Sequence, residues 1–91
     1  MKNQKLKFKL FISGMSVKSG RAIENIKAIG DQQLKGNYEL EIVDLMKSKE
    51  KAIEFQIVAI PTLIKYEPAP LRTLVGDLSD TKKVLRILEI E

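Results

Sequence analysis

Residues 6–13, LKFKLFIS, alternate with period two. Leu6, Phe8, Leu10 and Ile12 share one face, Lys5, Lys7 and Lys9 the other, and Phe11 joins the lysines near the end. Successive side chains of a strand point to opposite faces, so this pattern predicts a strand. The lysine row reads as a solvated face that discourages edge pairing. Gly14 ends the strand, and Ser16 is placed to cap a helix of about 15 residues. Ala22, Ile23, Ile26 and Ile29 then mark a stripe of period 3.6, with Gly30 as its expected C-cap.

After the turn signal Gly36-Asn37, residues 38–44 (YELEIVD) alternate again. Tyr38, Leu40 and Ile42 fall on one face, Glu39 and Glu41 on the other. The spacing fits a right-handed βαβ crossover with parallel strands. Residues 46–56 predict a shorter helix with Met46, Ala52 and Ile53 inward; Phe55 and Ile57 fit its stripe less well. Thr62–Lys65 and Arg72–Val75 predict two short strands, and Gly76 allows a turn. Ser79 is expected to cap a last helix to Leu88, with Asp80 near its positive end and Val84, Leu85 and Leu88 inward. Pro68 and Pro70 remove ladder donors and stiffen the link between the two short strands.

The order is βαβαββα in one α/β domain, residues 1–91, with a four-stranded mixed sheet and helices on both faces. That is the thioredoxin-like architecture. Ile60-Pro61-Thr62 sits where helix passes into strand, the place at which thioredoxin-like folds hold a cis proline, and Pro61 is expected to be cis.

Composition removes much chemistry. The chain has no Cys and no His, which excludes disulfides, a thiolate nucleophile, an imidazole base and the usual zinc sites. The five glycines are dispersed, so no phosphate-cradling loop is present, and no Asp/Asn/Gly run has calcium spacing. No catalytic residue, metal or cofactor is expected. A net charge of +4 with five aromatic residues lacks the concentrated basic patch of a nucleic-acid binder. No apolar run approaches the roughly 20 residues of a membrane span, and the lysine-interrupted start is unlike a secretory signal. The cytoplasm is the expected location. A thioredoxin-type oxidoreductase would carry C-x-x-C between the first strand and helix; Ser16 and Ser19 stand there instead. That leaves peptide binding beside Pro61 as the alternative function.

The string PTLIKYEPAPLRTLVGDLSDTKKVL, together with KLFISG…SGRAIENI and LKGNYELEIVDLMKSKEKA, resembles the KaiB family of circadian clock proteins over residues 5–88. The pattern P-x-P-x-R-x-x-x-G-D-L-S, Pro68 to Ser79, is not a general thioredoxin feature. The resemblance implies a non-catalytic regulatory protein of circadian or stress-type signalling. Its partner would be a KaiC-like hexameric ATPase and autokinase. It also implies interconversion of two folds, one an assembling state (dimer or tetramer) and one a thioredoxin-like monomer. Arg21, Lys65 and Arg72 match basic positions implicated in partner binding, and Tyr38, Leu40 and Ile42 lie on an outer strand that could accept one. Three departures stand out: Thr73 where many members have a second arginine, Glu41 where they tend to have lysine, and an end at Glu91 without the acidic extension of cyanobacterial members. These point to a tail-less or non-cyanobacterial member resting in the thioredoxin-like state.

Overall fold

The computed structural model describes residues 5–90; residues 1–4 and 91, at the ends of the expected domain, lie outside the described residues. The elements are β1 (Leu6–Ile12), α1 (Val17–Gln33), β2 (Tyr38–Asp44), α2 (Glu50–Glu54), β3 (Thr62–Glu67), β4 (Arg72–Val75) and α3 (Thr81–Leu88). The four strands form one mixed sheet in the order β2-β1-β3-β4. β1 runs parallel to β2 and antiparallel to β3, and β3 runs antiparallel to β4.

Alternation in β1 divides the core between the two faces. Phe8, Leu10 and Ile12 pack with Ala22, Ile26 and Ile29 of α1 and Val84 and Leu88 of α3. Phe11 points the other way, into a smaller cluster with Val43, Leu45 and Ile64 that Phe55 and Ile57 complete. Each large apolar side chain so buried contributes about 1.5–3 kcal/mol, so the first cluster carries most of the stability.

β1 is therefore a central strand, and its lysines do not guard an edge. They form part of a charge ladder on the α2 face. Lys5 meets Glu39 at 3.7 Å, Lys7 meets Glu67 at 3.3 Å, and Lys9 meets Glu41. Register explains two of these pairs: Lys7 lies opposite Glu67 of β3, and Lys9 opposite Glu41 of β2. The Lys9 ammonium also lies 4.9 Å from the centre of the Tyr66 ring. The Lys9–Glu41 hydrogen bond holds the lysine above and the carboxylate below their usual ranges.

Three helix boundaries differ from the sequence reading. α1 runs three residues past Gly30 to Gln33 and is closed by the Gly36 N–H donating to the Gly30 carbonyl at 3.0 Å. Gly30 is a close-approach residue: a Cβ there would lie 2.3 Å from the Tyr38 ring. The second helix is only Glu50–Glu54; ahead of it the chain turns after β2, where the Asp44 carboxylate accepts from the Gly14 and Met46 N–H groups, both at 3.0 Å. Met46 and Ile53 are consequently 65% and 82% exposed, while Phe55 lies 5.1 Å from Phe11, ring centre to ring centre. In α3 the N-cap is Asp80, whose carboxylate accepts from the Lys83 N–H at 3.2 Å. The Ser79 N–H donates instead to Asp77.

Candidate functional site

The sheet has two open edges. β2 forms one of them over seven residues. Tyr38 and Leu40 pack partly against the larger core, and Ile42 continues their row 41% exposed. Beside this row, between β2 and α1, runs a groove whose far wall includes Lys27 and Asp31. Burial, with the Asp31 carboxylate as the smaller cause, raises the Tyr38 phenol above its usual range. On the opposite face of β2 stand Glu39 and Glu41, paired to β1 lysines.

β4 forms the other edge with only four residues. Lys65 and Arg72 face each other across β3 and β4. Arg72 donates to the Glu89 carboxylate at 2.8 Å, which fastens the start of β4 to the end of α3 and holds the Glu89 carboxyl below its usual range. Lys65 is only 5% exposed. Burial, then the neighbouring Arg72 charge, lowers its ammonium pKa, and Glu89 opposes the shift.

Arg21 belongs to neither group. It is exposed on the first turns of α1, where its charge and that of Lys18 help to lower the Asp77 carboxyl, behind the larger effect of hydrogen bonds from Ser79. Asp77 follows the Gly76 N–H that donates to the Pro61 carbonyl at 2.9 Å. This end of β3 and β4 is three ladder steps, roughly 10 Å, from the Lys65–Arg72 pair. The structure thus joins Lys65 to Arg72, groups Tyr38, Leu40 and Ile42 on one edge, and sets Arg21 apart.

Pro61 is buried at the start of β3, and the Ile60–Pro61, Glu67–Pro68 and Ala69–Pro70 bonds are all cis. Ser16, at the first of the two positions a C-x-x-C would occupy, is engaged in helix capping: its hydroxyl accepts from the Ser19 N–H at 3.1 Å and donates to the Ser19 hydroxyl at 3.0 Å.

Residues 9–90 match the model of the KaiB domain. The chain is 41% identical over 90 residues to circadian clock protein KaiB3 of Synechocystis sp., covering 99% of this chain and 88% of that protein. The chain belongs to the KaiB family. A second KaiB relative, the circadian clock oscillator protein of Gloeothece citriformis, is 42% identical over 82 residues, covering 90% of this chain and 77% of that one. Among solved structures, the N-terminal domain of Synechococcus elongatus SasA superposes with a TM-score of 0.73 at 21% identity, covering 94% of this chain and 85% of that domain. Mitochondrial thioredoxin 3 of Saccharomyces cerevisiae gives 0.71 at 16% identity, covering 96% and 81%. The fold of this KaiB-family chain is therefore thioredoxin-like. Among its described residues no helix is long and apolar enough to cross a membrane.

Sequence reasoning missed Glu89, which reads as a helix-end charge and yet organises Arg72. A signal was available: a carboxylate just past the last helical turn, in a KaiB chain whose β4 opens on arginine. It also missed Gly30, whose spacing imitates a C-cap.

Proposed function

We propose that this KaiB-family chain is a non-catalytic regulator that docks a KaiC-like ring ATPase through the β2 edge. The observation that carries the reading is the pairing of KaiB family membership with a seven-residue open edge whose Tyr38-Leu40-Ile42 row borders a groove. An edge strand offers unpaired backbone groups to a partner strand, and alternate side chains supply selectivity. Glu39 and Glu41 narrow the choice of partner. Arg21, exposed and apart from the core, steers encounter with an acidic surface, an effect that weakens with salt. Lys65 and Arg72 lie toward the other edge: Arg72 holds β4 to α3, and Lys65 is buried beside it.

The reading includes a second packing of the chain beyond Val58, motivated by the four-residue β4 and its proline-rich approach. A second set of amide resonances confined to that half would support it. One set of resonances across temperature would remove it.

The partnership is tested by mixing the chain with the KaiC-like ATPase of the same cell, in ATP and then ADP, under size-exclusion chromatography with light scattering. A complex in either nucleotide is the expected result. A well-folded chain that stays separate in both overturns the proposal.

A further inference from the structure

The Lys65 side chain lines a cavity of about 260 Å³. Its walls are mostly apolar, with Leu6, Leu34, Pro68, Pro70 and Leu88 among them. Lys65 as a residue is only 5% exposed, but no described side-chain nitrogen or oxygen is both fully buried and unpartnered, so its ammonium reaches the open space of the cavity while its stem is covered. Lys5 and the two lysines of β1, Lys7 and Lys9, each have a carboxylate within 4.0 Å. Among the described residues no carboxylate comes that close to Lys65. The one acidic wall residue among the described residues, Glu89, is drawn to Arg72. Among the described residues two cations thus share one anion, which leaves one net positive charge at the site.

We propose that the Lys65 cavity is a ligand site for a small aliphatic monocarboxylate. The carboxylate would take the place beside the ammonium that no side chain fills, bringing the charge of the cluster to zero. The aliphatic stem would lie against the leucines and prolines. The volume is near the lower end of small-ligand sites, roughly 300 Å³, which favours a short chain over a drug-sized molecule. Charge selects for an anion, and the apolar walls select against inorganic anions, which have nothing to place there. The site stands independently of the ATPase partnership, since it is built around the connection from β3 to β4 and the end of α3 and uses no residue of β2.

The test is a titration of the ¹⁵N-labelled full chain with sodium hexanoate, followed by amide shifts. Hexanol serves as the uncharged analogue and sodium chloride matches ionic strength. Expected are saturable shifts at Leu6, Lys65, Ala69 and Leu88, with hexanol at least about tenfold weaker, the usual scale of one charge-assisted hydrogen bond. Lys65→Met should bind hexanoate no better than wild type binds hexanol, and Lys65→Arg should retain binding. Equal binding of hexanoate and hexanol overturns the proposal. So do shifts spread over the exposed Met15, Val58 and Val75, or a folded Lys65→Met chain that binds like wild type. If Lys65→Met fails to fold, the hexanoate-to-hexanol ratio on the wild type decides.

Discussion

Along β2 the row on the α2 face is Glu39 and Glu41; along β4 the outward row is Leu71, Thr73 and Val75, which carries no charge. β2 has seven residues and β4 four, and β4 follows a connection containing Pro68 and Pro70. The two edges therefore meet the hazard of unwanted pairing differently. β2 is long and guarded by charge, which leaves it open to a partner of matching pattern. β4 is short, and its register is held from behind by α3 through Arg72–Glu89 and through Leu74, which packs in the larger core. The proposed partner binding belongs to the first design, and local stability to the second.

The largest effect should come from removing the β4 anchor. Leu74→Ala is expected to lower unfolding free energy by about 2–4 kcal/mol, read as a lower urea midpoint with unchanged slope. A loss under about 1 kcal/mol would mean that α3 does not secure this edge through the core.

Next comes the packing that seats β2. Gly30→Ala gains up to about 1 kcal/mol in helix propensity. It also places a methyl group against the Tyr38 ring, and overpacking costs about 1–3 kcal/mol. A net loss of roughly 1–2 kcal/mol is the expected balance. A stabilised protein would show that the ring moves aside freely and that β2 is not clamped to α1.

Smaller still is the charge ladder. Glu41→Lys sets like charges opposite Lys9, yet the Glu41 side chain is largely exposed, so the cost should stay below about 1 kcal/mol. Its effect on partner association should shrink as salt rises. Salt-independent loss of binding would point to a backbone change in β2.

The smallest effect is on acid stability. Hydrogen bonds from Lys9 and Arg72 hold Glu41 and Glu89 below their ordinary value of 4.5. The unfolded chain then binds more protons than the folded one, so this contribution is fully present above about pH 4.5 and is lost as pH falls through the depressed values. Glu41→Gln and Glu89→Gln should each flatten the fall in Tm between pH 5 and pH 3, values set by the ordinary carboxylate range. Unaltered slopes in both would remove the ion pairs from the account of either edge.

How much of this was legible follows from which interactions are local. Period-two alternation placed β1 and β2, because each strand has one face buried against helices. The α1 stripe and its Ser16 cap were legible for the same reason. Gly30 misled because a glycine near the end of a helical stripe looks alike whether it turns the chain or receives a ring from eight residues further on. The second helix misled because residues 45–48 form a separate turn, with the Lys47 and Ser48 N–H groups donating to the Asp44 carbonyl, and the helix itself starts only at Glu50. The lysine row was visible, but its meaning depended on which strands flank β1, and only pairing to Glu39, Glu41 and Glu67 supplies that. Lys65 and Arg72 were read as partner-binding basic positions; the register across β3 and β4 sets them side by side, with the first buried and the second paired to Glu89.

The most direct test of the contrast between edges places one charge on each. Ile42→Glu and Val75→Glu both alter exposed apolar positions, one on β2 and one on β4. Association with the KaiC-like ATPase, measured by light scattering after size exclusion, is expected to be lost in Ile42→Glu and retained in Val75→Glu, with both chains folded. Loss in Val75→Glu and retention in Ile42→Glu would contradict the assignment of partner binding to β2.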